Sequence, residues 1–203
     1  MDPLKKQEIA LRYWLLGRGY NLALEAMEFA AFHHNGFRKD GVTPEFSHQI
    51  AICHYVRTLP ALRDMEKTLT VCLLHDVSED YGIARDEQAR RFGEDVATSV
   101  WAMTKEFKGV KRNPTEVFAS IAQDPYASIG KGADRGHNFN SMVGVFNAKK
   151  QLAYVAEGEE FFLPMIKKAR RLFPDQEAAY ENIKHLLTTQ MALVKAIHGE
   201  KGA

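Results

Sequence analysis

Leu73-Leu74-His75-Asp76-Val77-Ser78-Glu79-Asp80 joins an apolar run to four side chains that bind metals and move protons. Upstream, Thr68 to Leu74 is apolar enough for a core helix. If that helix runs on, positions four apart share a face, which sets His75 under Glu79 and Asp76 under Asp80. His75 and Asp76 differ by about 100° around the axis, so both reach one ion from one edge. Glu79 and Asp80, about 6 Å further along, are placed to take a proton from water there. A solvated acidic helix end is the ordinary meaning of such residues. Two acids in register with a His-Asp pair at the end of a buried helix favour a site instead.

Composition narrows the class. A chain of 203 residues, 45% hydrophobic and 26% charged, suits one soluble domain with a real core. A net charge of +1 gives no global field for nucleic acid, so phosphate has to be met by local basic groups. Cys53 and Cys72 sit in apolar surroundings without CxxC spacing, as reduced core thiols of a cytoplasmic protein do. Residues 1–7 lead into no signal-type segment, and no run approaches about 18 apolar residues. Neither secretion nor membrane insertion is expected.

In chain order the pattern is helix after helix, with no alternating run that argues for a sheet. Helices are predicted over residues 4–16, 20–34, 84–91, 94–103 and 115–123, with Asn35-Gly36 and Tyr81-Gly82 as stops. Residues 37–46 read as a loop, and Ser47 is a candidate cap for the helix after it. Phe107 to Pro114 is a basic loop. Ile183, Leu187, Met191, Val194 and Ile197 make one stripe of a last helix that Gly199 ends. The expectation is a single all-α domain over residues 1–203, its core at about 20–145, with 146–203 as supporting helices.

Two more stretches carry chemistry. Arg38 and Lys39 are a basic pair on the 37–46 loop, ordinarily a solvated turn. His48 opens an apolar segment, as a core histidine or as a metal ligand. Between Tyr126 and Met142 a helix would put Asp134 and Asn138 on one face with His137 beside them. Gly132 and Gly136 each cost that helix about 1 kcal/mol relative to Ala, so another helix or a ligand must approach the backbone there.

His48, His75-Asp76 and Asp134, in that order on three helices, resemble the H...HD...D ligand set of HD-domain metal-dependent phosphohydrolases. More narrowly, the chain resembles the hydrolase domain of the RelA/SpoT family and the small alarmone hydrolases. Arg38 to Gly41 and Thr43 to His48 match that family's basic turn and the His opening the next helix; Leu73 to Asp80 match its Leu-Leu-His-Asp-x-x-Glu-Asp. Phe92 to Val96, Thr104-Lys105 and Lys131 to Asn138 carry its remaining markers, over about residues 20–145. Gln49, Tyr81, Gly132 and Gly136 depart from it, standing where Pro, Thr and two Leu are usual.

The resemblance implies an HD-domain helical bundle with a divalent metal on His48, His75, Asp76 and Asp134. Manganese is the first choice, with zinc and iron as alternatives for a mixed N/O site. It implies Glu79 and Asp80 acting on water, and Arg38, Lys39, Lys131, Arg135 and Asn138 holding a small nucleotide, with no nucleic-acid or membrane partner. The implied reaction is removal of the 3′-pyrophosphate from guanosine tetra- or pentaphosphate, and no synthetase activity is expected. The alternatives are an NADPH phosphatase or nucleotidase, a hydrolase of the adenosine alarmones, or an antitoxin-type alarmone-neutralising protein.

Overall fold

The computed structural model describes residues 2–199. It begins with α1 (Pro3–Arg18), α2 (Asn21–His33), α3 (Ser47–Val56), α4 (Met65–Leu74), α5 (Val77–Tyr81), α6 (Arg85–Phe92) and α7 (Glu94–Met103). A small hairpin follows, β1 (Glu106–Phe107) paired antiparallel with β2 (Val110–Lys111). Then come α8 (Pro114–Ile121), α9 (Pro125–Ser141) and α10 (Ala148–Glu157), which runs through a π-helical turn, Gly158–Phe162, into α11 (Leu163–Leu172). A 3-10 turn at Pro174–Gln176 leads to α12 (Glu177–Ile197). The fold is all-α, as expected, and no helix among the described residues is long and apolar enough to cross a membrane.

α4 is the centre because all but its first turn is buried. Asp64 caps it by accepting from Lys67 N, and Thr68 to Leu74 are all buried. The Thr68 and Thr70 hydroxyls donate to the Asp64 and Glu66 carbonyls, so their burial leaves no unmet donor. Around it pack α2, α3, α7 and α9.

α9 starts at Asp124, whose carboxylate accepts from Tyr126 N and Ala127 N. One face meets α3 and α4, the other α11 and α12. A Cβ on Gly132 would lie 2.7 Å from Ile183 Cγ2 and 3.1 Å from Ile166 Cδ1; one on Gly136 would lie 2.7 Å from Leu186 Cδ2. The close neighbour at both glycines is therefore another helix.

Some expectations need correction. The helix does not run through His75: α4 ends at Leu74, His75 and Asp76 form a turn, and α5 begins at Val77. The continuous helix is therefore interrupted at His75, although Asp80 N still donates to Asp76 O at 2.8 Å and so lies one turn beyond Asp76. The loop predicted over 107–114 contains the hairpin, its turn made by Lys108 and Gly109, both with positive φ. Ser47 is the first helical residue rather than the cap, its hydroxyl donating to Pro44 O, and Ile197 is 54% exposed. Cys53 and Cys72 are buried and free, and burial pushes both thiols up.

Candidate active site

Three elements meet at one point: the start of α3 with His48, the α4–α5 turn with His75 and Asp76, and the middle of α9 with Asp134. His75 Nδ1 donates to Cys72 O at 2.8 Å, which fixes the ring and leaves Nε2 as the free nitrogen. Nε2 is buried and has no hydrogen-bond partner among the described residues. Asp76 Oδ2 comes within 2.7 Å without hydrogen-bond geometry, and Asp134 Oδ1 lies at 3.8 Å. His48 Nε2 faces the same space, 3.1 Å from Asp134 Oδ1 and 4.0 Å from Asp76 Oδ2. His48 Nδ1 meets His137 Nδ1 at 2.8 Å, so donation to His137 leaves His48 Nε2 its lone pair.

This donor set fits a divalent ion. Atoms each about 2.1 Å from one ion stand about 3–4 Å apart, and the pairs here stand 2.7–4.0 Å apart. His48, His75 and Asp134 offer ligand atoms within 4.8 Å of one another. The cluster draws positive charge: burial works against a charged His75, yet Asp76 and Asp134 raise it to about 9. Burial outweighs Asp134 at His48 and lowers it, keeping that ring neutral. Asp76 falls to about 2, where His75 outweighs the cost of burial.

Around the ligands a network holds the pieces in place. Asp134 Oδ1 also accepts from Asn138 Nδ2 at 2.6 Å, and Lys131 Nζ lies 3.0 Å from Oδ2. Arg38 Nη2 donates to Asn138 Oδ1 at 3.2 Å and to Ser141 Oγ at 3.0 Å, tying the 37–46 loop to α9. Lys39 Nζ stands 5.9 Å from the Phe146 ring centre. Arg135 is buried: Glu157 Oε2 accepts from it at 2.5 Å, and the Phe162 and Tyr154 rings lie 4.1 and 4.6 Å from its guanidinium carbon. Lys131 and Arg135 thus have their charges met by carboxylates.

Glu79 and Asp80 diverge. Glu79 Oε2 accepts from Lys105 N at 2.9 Å, next to the hairpin. Asp80 points to the other side, towards His34 and Glu45. Burial, then Asp76, Glu79 and Glu45, raise it to about 7.

A cleft of about 860 Å³ opens over these groups, within the size range of small-ligand sites. The site residues predicted from sequence border it, except His75, which is buried. Sequence reasoning missed Ser141, Lys105, Tyr154 and Glu157, which also border it. Tyr154 and Glu157 come from α10, so the last helices wall the cleft as well as support it.

No family model matches the chain. A GTP pyrophosphokinase rsh of Brucella ovis is 28% identical over 152 residues, 70% of this chain and 19% of that protein. A probable guanosine-3′,5′-bis(diphosphate) 3′-pyrophosphohydrolase of Synechocystis is 28% identical over 155 residues, 72% of this chain and 20% of that one. The guanosine-3′,5′-bis(diphosphate) 3′-pyrophosphohydrolase of Aquifex aeolicus is 28% identical over 145 residues, 69% and 20%. The chain spans about a fifth of the length of these curated relatives. A solved structure of a metazoan ortholog of SpoT that hydrolyses ppGpp aligns with a TM-score of 0.64 at 20% identity, covering 89% of this chain and 97% of that one.

The chain has the fold of that SpoT ortholog, and the fold brings a buried His-His-Asp group together. By sequence and fold together the chain is similar to ppGpp hydrolases of RelA/SpoT type.

Proposed function

We propose that this protein hydrolyses guanosine 3′,5′-bis(diphosphate) and its pentaphosphate at the 3′ position, releasing pyrophosphate and leaving GDP or GTP. One observation carries the reading. Two imidazole nitrogens and two carboxylates converge, with buried His75 Nε2 lacking a hydrogen-bond partner among the described residues, beside a carboxyl group raised to about 7. His48, His75, Asp76 and Asp134 would hold a divalent metal, with manganese favoured by the resemblance and zinc or iron as alternatives. When bound, such an ion supplies Lewis acidity at the attacked phosphorus and lowers the pKa of water.

The side chains do the rest. Asp80, its carboxyl raised by burial and by Asp76, Glu79 and Glu45, is placed to take a proton from the attacking water through whichever oxygen is not bound to a cation. Glu79, braced on Lys105 N, orients that water from the other side. The water oxygen bonds to the phosphorus on the 3′ oxygen, the P–O3′ bond breaks, and the 3′ oxygen leaves as a hydroxyl with one proton. Arg38, braced by Asn138 and Ser141, and Lys39 on the loop meet the remaining phosphates as cations. Lys131 holds Asp134 in place, and Arg135 braces the Tyr154 wall.

Product analysis tests this directly. Metal-loaded protein is expected to release intact pyrophosphate from guanosine 3′,5′-bis(diphosphate). Release of orthophosphate, or faster turnover of NADPH, deoxynucleotides or the adenosine analogue, would replace the substrate and keep the fold.

A further inference from the structure

A second convergence of ligand-type atoms lies on the far side of Asp80. His34, Glu45 and Asp80 present atoms within 4.8 Å of one another. His34 is 2% exposed, and its Nδ1 has no hydrogen-bond partner among the described residues. It stands 3.9 Å from Glu45 Oε1, too far for a hydrogen bond and suited to two ligands of one ion.

The surroundings hold these atoms in place. Glu45 N donates to Gly36 O at 3.0 Å and Arg38 N to Thr43 O at 2.8 Å, closing the loop on itself. Tyr81 OH donates to Glu45 Oε2 at 2.6 Å, which leaves Oε1 directed elsewhere. The Tyr81 ring packs edge-on against His34 at 4.9 Å between centres. Gln49 faces His34 Nε2 at 3.2 Å, and its Oε1 has no partner among the described residues. A half-turn of that carboxamide lets Oε1 accept from Nε2–H, which gives Nδ1 its lone pair. Gln49 and Tyr81 are two of the positions where the sequence departs from the RelA/SpoT pattern, and both contact His34.

We propose that His34, Glu45 and Asp80 hold a second divalent cation beside the His48–His75–Asp76–Asp134 centre. One nitrogen and two carboxylates make a borderline donor set, suited to manganese, iron or zinc more than to magnesium or calcium. A bridging water meets the nitrogen and one oxygen but leaves the carboxylates of Glu45, Asp80, Asp76 and Glu79 crowded together. A cation offsets that repulsion.

Metal counting tests the site without substrate, so its failure and that of the proposed reaction are separate results. Metal-free protein is titrated with manganese(II) chloride, and bound ion is counted by the loss of the free-ion electron paramagnetic resonance signal. Two ions per chain are expected. Glu45→Gln keeps the acceptor for Tyr81 OH and should bind the second ion at least tenfold more weakly; Asp80→Asn should do the same. Asp76→Asn should keep a Glu45-dependent ion while losing the other. Both Glu45 and Asp80 lie at the surface of the cleft, and circular dichroism reports whether the variants fold. One ion per chain in the unaltered protein at millimolar manganese overturns the proposal, as does a second ion indifferent to both Glu45→Gln and Asp80→Asn.

Discussion

On the wall made by α3, the α4–α5 turn and α9, imidazole lone pairs and carboxylates face one another across a gap. On the α10 wall a guanidinium lies among aromatic rings, its charge met by Glu157 at 2.5 Å. Both walls are buried and both are rich in charge. The first leaves the His75 imidazole nitrogen facing carboxylates with no hydrogen bond made, whereas in the second Glu157 meets the charge of Arg135, although Nε and Nη1 of that guanidinium have no hydrogen-bond partner among the described residues. An incomplete cluster keeps its free energy for a bound ion or substrate; a closed one contributes to holding the fold. Damage to the first should therefore appear as lost activity, and damage to the second as lost stability.

The largest effect is expected at Asp76. Asp76→Ala should lower turnover by about 10³-fold or more and remove the ion of that centre. Its melting temperature without metal should fall less than that of a variant lacking Glu157, because His75, unlike Arg135, can give up its proton once its partner is gone. A large loss of stability there would erase the contrast between the walls.

Glu79→Gln comes next. It is nearly isosteric, keeps an acceptor for Lys105 N and loses the charge that orients the attacking water, so kcat should fall by about 10²-fold with metal retained. Unchanged kcat would leave the water to Asp80 alone.

Glu157→Ala should act on the opposite wall, costing about 3 kcal/mol of stability in denaturant titration by leaving Arg135 buried without its partner. That value is at the low end for a broken buried pair because Glu157 is about a third exposed. Burial pushes Glu157 up, but Arg135 and Lys105 outweigh it and bring it below the usual 4.5. Its ionised form therefore contributes stability above pH 4.5, and that contribution is lost as the pH falls through the lower value of the folded protein. Glu157→Gln should flatten the acid limb of melting temperature against pH.

The smallest effect is expected at Arg38, which sits between the two walls. Arg38→Ala should raise KM about tenfold with little change in kcat, the mark of lost uniform binding. Unchanged KM would return the Arg38-Lys39 pair to a solvated turn.

The incomplete wall was the legible one. His75, Asp76, Glu79 and Asp80 crowd into one short segment after an apolar helix, and that abrupt change is a local signal. The break at His75–Asp76 was not legible, since neither Gly nor Pro marks it; Asp76 takes φ −103 and ψ −3 in tertiary context. Nor was the opposing wall. Residues 148–157 read as any amphipathic surface helix, and Tyr154 and Glu157 gain their role only from where α10 lies. The hairpin escaped because strands of two residues cannot show alternation. The bend after Asn35-Gly36 was visible, but the approach of His34 to Glu45 depends on how the loop closes.

His48 and Asp134 are 86 positions apart in the chain, yet their side chains meet at 3.1 Å. An ion gripping both is a reversible cross-link across a long loop, and it joins three helices that contact one another only after collapse. A ligand at a hundred times its dissociation constant stabilises the folded state by about 2.7 kcal/mol, a large fraction of what a domain of this size has in reserve. With the proposed ion bound, the lifetime of the folded chain would be linked to the supply of that metal. Starvation for that ion would thin the population of intact molecules as well as silence those that remain.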